Sequence, residues 1–168
     1  MRFLVVFLFF IAELFALTLP KQFSAEFNQT IDSDQKKLHY RGEIFYKNGQ
    51  IVWKYTYPYQ KTIWVKSRIY IYEPDLMQVT VIDKKENNLI EILKKAKKID
   101  KNRYETEYKG KKYYFILSNG KIKLPQKIYY TDEMGNKVVI KFYNFKNEVN
   151  DKVFDLNFPD DVDVIHQR

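Results

Sequence analysis

Two histidines, His39 and His166, are the only side chains in the chain that titrate near neutrality without help, and neither is placed for proton transfer. His39 falls on the polar side of an alternating segment, and His166 lies near the C-terminus. A nucleophilic triad needs an imidazole held between a hydroxyl and a carboxylate, and no such setting is legible here. Asp160-Asp161 is a neighbouring carboxylate pair. Adjacent residues on extended backbone point apart, so the pair reads as a solvated turn rather than as an acid/base couple. No HExxH, P-loop or GxGxxG pattern occurs. Cysteine is absent, which removes disulfides, thiolate metal sites and a thiol nucleophile. It also excludes acylation of this chain, which requires an N-terminal cysteine. No enzymatic activity, cofactor or metal is expected.

The residues left for chemistry are those that bind apolar matter. Aromatics make up 17% of the chain, with 14 Tyr and 13 Phe. Trp53, Tyr55 and Tyr57 form a stripe, with Trp64, Tyr70 and Tyr72 close by in sequence. A packed β core accounts for most of them. The functional alternative is the wall of a wide hydrophobic cavity, which tyrosine suits because it joins apolar area to a polar tip. The formal charge is +8 and the pI about 9.4. Tyrosines interleaved with lysines can stack bases, but the lysines are dispersed and an export signal argues against nucleic acid. A solvated lysine-rich surface accounts for the charge.

That signal occupies residues 1–16. Arg2 precedes an unbroken apolar run from Phe3 to Ala12, and Leu14-Phe15-Ala16 supplies a cleavage site. Its removal takes away Arg2 and Glu13, so the charge stays at +8. Residues 17–168 are then one domain.

The elements that position the aromatics are strands. Phe23, Ala25 and Phe27 alternate with polar residues. Leu38, Tyr40, Ile44 and Tyr46 share one face of the next strand. Asn48-Gly49 is a type I′ hairpin signal, and Ile51, Trp53, Tyr55 and Tyr57 share a face of the return strand. Further strands are expected over 62–65, 68–72, 78–82, 103–108, 112–117, 126–131 and 137–142, separated by Pro, Gly and Asn. Only 88–98 has helical period, with Leu89, Ile92, Leu93 and Ala96 on one side. Asn88 is its expected cap and Glu91 completes a capping box. The lysines at 94, 95, 97 and 98 suit the C-terminal pole of a helix dipole. The fold class is mainly β: a strongly curved antiparallel sheet, an incomplete barrel, with a short helix covering its hollow.

Several segments together resemble the LolA family of periplasmic outer-membrane lipoprotein carriers. They are Phe23-x-Ala25-x-Phe27-x-Gln29-Thr30; Tyr40-x-Gly42-x-Ile44-x-Tyr46-Lys47; Trp53-x-Tyr55-x-x-Pro58; Tyr70-Ile71-Tyr72-Glu73-Pro74-Asp75-Leu76-x-Gln78-Val79; and Phe154-x-x-x-Phe158-Pro159-x-x-Val162-Asp163-Val164-Ile165. The ordered set spans nearly the whole mature chain.

The resemblance implies an incomplete antiparallel barrel with a helical lid over a hydrophobic cavity, in a protein of the periplasm. It implies that lipoprotein acyl chains are carried from an inner-membrane ABC transporter of the Lol type to an outer-membrane acceptor. Three acyl chains in water cost roughly 30 kcal/mol, so free diffusion of such cargo is excluded. By position, Ile51 and Trp53 become cavity candidates and Leu89, Ile92 and Leu93 lid candidates; Tyr40, Ile44, Tyr55, Trp64, Tyr70 and Tyr72 join the cavity candidates as the aromatic and apolar residues nearby. The family's turn arginine, tied to directional transfer, is replaced by Lys47 before Asn48-Gly49, which makes Lys47 the candidate for transfer control. Asp-Gly before the Tyr70 strand is replaced by Lys66-Ser67, and the N-terminal helix is mostly missing. A monomer is expected. A carrier of another lipid or glycolipid, and an envelope-stress sensor domain of the same fold, are the competing readings.

Overall fold

The computed structural model describes residues 17–83 and 89–167. The expected export signal and the expected cap Asn88 lie outside the described residues. Alternating apolar and polar side chains produce β1 (Gln22–Asp32), β2 (Lys37–Lys47), β3 (Gln50–Tyr57), β4 (Lys61–Val65), β5 (Arg68–Glu73) and β6 (Gln78–Asp83). A short helix, α1 (Leu89–Lys94), follows. Then come β7 (Lys97–Lys98), β8 (Arg103–Tyr108), β9 (Lys111–Leu117), β10 (Pro125–Thr131), β11 (Lys137–Lys146) and β12 (Asp163–Gln167). All twelve strands form one open, strongly curved sheet in the order β12-β6-β5-β4-β3-β2-β1-β11-β10-β9-β8-β7.

The Asn48-Gly49 hairpin forms as expected. Both residues have positive φ, 48° and 85°, which matches the twist of β2 and β3. Gly42 has a different task. A Cβ there would stand 2.1 Å from the Lys54 carbonyl oxygen and 2.9 Å from the Phe27 ring. The absent side chain lets β3 and the ring of Phe27 close over the same point.

Two expectations need correction. The helix ends at Lys94 rather than Lys98. Lys95 and Ala96 donate back to Ile92 and Leu93 over three residues, a tightened last turn, and Lys97-Lys98 then pairs with β8. The sheet is also not wholly antiparallel, because β12 runs parallel to β6. The crossover that permits this is the segment from Val149 to Phe158, which crosses the back of the sheet.

Cross-strand partners point to the same face, so the register sorts the side chains into two layers. On the inner face, where α1 packs, Val65, Ile51, Tyr46 and Phe23 form one row, and Ile63, Trp53, Ile44 and Ala25 the next. This layer continues through Phe142, Ile140, Ile128 and Phe115 into the main core. On the outer face Phe45, Val52, Trp64, Tyr70 and Val81 form a row. Most of this row packs under Phe154, Val153 and Phe158 as a second, smaller core.

Candidate functional site

The inner face is the candidate site. Its floor is Ile44, Ile51 and Trp53, each buried, with Phe23, Phe27 and Phe142 beside them. The Trp53 ring meets Phe27 edge-on at 5.1 Å and Phe142 at 6.0 Å. Ile90, Ile92 and Leu93 of α1 are buried in the same cluster as this floor, and Leu93 is 0% exposed. Leu89 and Ala96 pack at the edge of the same cluster. The helix carries Glu91 and Lys94 on its solvent side, paired at 3.0 Å. That hydrogen bond holds the Lys94 ammonium above its ordinary pKa, against the opposing effect of burial.

The six-residue helix is too short to stand in water alone. Its order comes from the three side chains it buries. The floor residues and the helix residues belong to one packed cluster. The surface that the resemblance assigns to a cavity is therefore filled by its own side chains when α1 is docked. Beside the C-terminal end of the helix lies a cleft of about 360 Å³, lined by Leu17, Leu19, Tyr46 and Lys94.

The opposite end of the inner face is rimmed by phenols. Tyr55 donates to Gln29 Oε1 at 2.9 Å and lies edge-on to Phe27 at 5.1 Å. Tyr40 sits edge-on to Tyr55 at 6.0 Å and to Tyr59 at 6.3 Å. Burial pushes the Tyr55 hydroxyl far above the usual phenol range, with Tyr130, Tyr40 and Tyr59 adding to the effect. Tyr130 is pushed to about 12, chiefly by burial and then by Tyr113 and Asp132. Tyr40 is raised mainly by burial too. These phenols stay neutral across the physiological range and give the site one polar, uncharged rim.

The structure thus brings together Ile44, Ile51, Trp53, Tyr55, Leu89, Ile92 and Leu93, with Tyr40 on the rim. Trp64, Tyr70 and Tyr72 are not among them. Trp64 pairs with Val52 rather than with Trp53 and so points outward. Its indole Nε1–H donates to the Val153 carbonyl at 3.0 Å, and Phe158 lies against both Trp64 and Tyr72. These aromatics hold the C-terminal segment, beside a cleft of about 470 Å³ lined in part by Val52, Trp64, Tyr72 and Val153. Lys47 also serves that segment. Its Nζ pairs with Asp151 in the 3-10 turn Asp151–Phe154. Residues not named as cavity or lid candidates complete the inner face: Phe23, Phe27, Phe115, Leu117, Ile128 and Phe142, with Ile90 from the helix. Period-two spacing was the available signal for those on strands.

The remaining chemistry is sparse. His39 and His166 are exposed on strands and Asp160-Asp161 stands in an exposed turn. Among the described residues, no group of three or more metal-ligating side chains occurs, and no helix is long and apolar enough to cross a membrane.

The site is thus the apolar inner face of an open curved sheet, closed by one docked helix. Solved structures share the architecture. A conserved protein from Thermus thermophilus superposes with a TM-score of 0.59 at 10% identity, over 89% of this chain and 92% of that one. A putative outer membrane lipoprotein-sorting protein domain from Vibrio parahaemolyticus gives 0.53 at 11% identity, over 79% and 88%. No protein-family model matches the chain. Curated relatives do. The outer-membrane lipoprotein carrier protein of Campylobacter jejuni is 36% identical over 95% of this chain and 96% of its own length. That of Wolinella succinogenes is 36% identical over 86% and 87%. That of Helicobacter pylori is 32% identical over 88% and 81%. The chain belongs to the outer-membrane lipoprotein carrier protein family.

Proposed function

We propose that the protein carries lipoprotein acyl chains through the periplasm toward the outer membrane, holding them against the inner face of the sheet once α1 has lifted. The observation that carries the mechanism is the docking of α1 by three apolar side chains onto an apolar floor. Burying such a side chain contributes about 1.5–3 kcal/mol, so the docked helix gains on the order of 5–9 kcal/mol before the cost of ordering it. An acyl chain of about a dozen methylenes contributes roughly 10 kcal/mol on burial. An acyl chain can therefore take the place of the helix on the floor, and the returning helix offsets part of the cost of letting the chain go, as a carrier that must release its cargo requires.

The partners in this reading are lipoproteins, an inner-membrane transporter of the Lol type that supplies the energy of loading, and an outer-membrane acceptor. An export signal over residues 1–16 and a monomeric state complete it. Lys47 is the candidate for transfer control. Its pairing with Asp151 couples the hairpin beside Asn48-Gly49 to the C-terminal segment, which a forked arginine would do with different geometry.

The test is depletion of the protein in cells, followed by fractionation of the membranes. Lipoproteins destined for the outer membrane should accumulate in the inner one. A photoreactive residue at Ile51 or Leu93 should capture acylated protein. Unchanged sorting, or capture of a glycolipid instead, refutes the reading.

A further inference from the structure

The charge of the chain is not spread evenly over the fold. Strands alternate in direction, so the connections divide between two ends of the sheet. The loops 17–21, 47–50, 65–68, 94–103 and 117–125 share the end that carries α1. Backbone hydrogen bonds tie some of them together, from Lys123 to Thr18, Asn48 to Lys21, and Leu117 to Asn102. These loops hold twelve Lys and Arg residues and a single carboxylate, Asp100. Three of the cations are paired with carboxylates from outside these loops: Lys47 with Asp151, Arg68 with Asp83 and Lys94 with Glu91. The others, Lys95, Lys98, Lys101 and Lys121 among them, have no carboxylate partner among the described residues.

The other end is different. Its loops, 32–37, 57–61, 73–78, 108–111, 131–137 and 159–163, carry six cations against nine carboxylates. The last of these loops is placed there by the bond from the Asp163 amide to the Met77 carbonyl. With Lys146 against Glu148 and Asp151 in the segment that leaves β11 at the helix end, the excess of cations there remains, and the described residues form an electrical dipole with its positive pole at the helix. At that pole Ile99 and Ile122 are 42% and 56% exposed, the first between Lys98 and Asp100 and the second between Lys121 and Lys123.

We propose that the α1 end is a membrane-docking surface that takes the anionic headgroups of phospholipids. Three features favour a lipid surface over an acidic protein. Ten of the twelve cations are lysines, compact charges on flexible stems, whereas paired protein carboxylates are better matched by the arginine fork. The charges lie on several separate loops, as a diffuse layer of headgroups requires. Exposed isoleucines among them can enter the boundary between headgroup and acyl chain. Docking would bring the mobile-lid end of the fold to the membrane and turn the acidic end away. The inference concerns phospholipid alone and does not rest on the identity of the cargo.

The experiment is co-sedimentation of the purified protein with vesicles of phosphatidylglycerol and phosphatidylcholine, and with phosphatidylcholine alone. Each lysine near an anionic surface contributes about fivefold in partition. The combined variant Lys95→Gln, Lys98→Gln, Lys101→Gln, Lys121→Gln should lose roughly a hundredfold or more. The variant Lys36→Gln, Lys37→Gln, Lys109→Gln, Lys137→Gln, equal in charge but at the far end, should lose less than tenfold. The chain has no native cysteine, so Ile99→Cys labelled with a polarity-sensitive dye should shift to the blue on the anionic vesicles alone. Equal loss in the two variants, or no binding to anionic vesicles, overturns the proposal. Retention on polyglutamate without retention on vesicles also overturns it, and assigns the pole to an acidic protein.

Discussion

Leu93 and Leu117 are both 0% exposed, one on α1 and one on β9. A Leu→Ala change at a fully buried site costs about 2–5 kcal/mol. If the fold were a single rigid unit, the two substitutions would lower its stability alike. In the proposed reading they should not, because α1 has an open state as well. Its three buried side chains gain on the order of 5–9 kcal/mol, while ordering six residues costs about 1–2 kcal/mol each. The two terms nearly cancel, and docking is favourable by at most about 3 kcal/mol. Removing about 3 kcal/mol from it tips α1 open, and the loss stops there, since the sheet survives without its helix. In urea denaturation Leu117→Ala should lose about 3 kcal/mol and Leu93→Ala about 1 kcal/mol. In hydrogen exchange, Leu93→Ala should strip protection from the amides of Ile92 to Ala96 and leave those of β1 and β11 protected. A solvatochromic apolar dye should bind the Leu93→Ala protein and not the parent. Equal loss of stability in both variants, with exchange accelerated across the sheet, would refute the lid.

Other perturbations probe the scaffold. Gly42→Ala drives a Cβ into the Lys54 backbone, which cannot step aside as a side chain would. The cost should exceed about 3 kcal/mol in chemical denaturation. Trp64→Phe leaves the Val153 carbonyl without its donor. It should cost about 1 kcal/mol and speed limited proteolysis between Val149 and Phe158. The raised pKa of Tyr130 makes the native state hold its proton longer than the unfolded chain does. Stability from this group is present below pH 10 and falls as pH rises toward about 12. In Tyr130→Phe the alkaline loss measured by thermal melts should shrink by up to about 2 kcal/mol.

The strands were legible because nearly every one has an inner and an outer side, so period two is written into its residues. The Asn48-Gly49 turn was legible because few residues tolerate its backbone. The error at Trp64, Tyr70 and Tyr72 has a definite cause. They were grouped with Trp53 by chemical type, whereas cross-strand register decides the face. Trp53 pairs with Ile63, one residue before Trp64, and that single step sends the second tryptophan to the other side. The pairing of β12 with β6 had no local signature, since Asp163–Gln167 is exposed along its length and finds its neighbour only through the second core. The helix end was misjudged because Lys97-Lys98 satisfies a helix dipole and a strand edge equally well in sequence. The family resemblance supplied the role. The closed state of the inner face could be read only from the packing of α1.

The place of β1 has a kinetic consequence. It lies between β2, its neighbour in the chain, and β11, whose Tyr143 donates to Asn28 across 115 residues. One flank of the first strand stays unpaired until nearly the whole polypeptide is available. Loop closure over such a span is slow to find and brings little reward until it is complete. A growing chain would therefore remain open while its early hairpins form, and collapse into the finished sheet only when β11 arrives. In the proposed reading, where export precedes folding, late closure is an advantage built into the strand order.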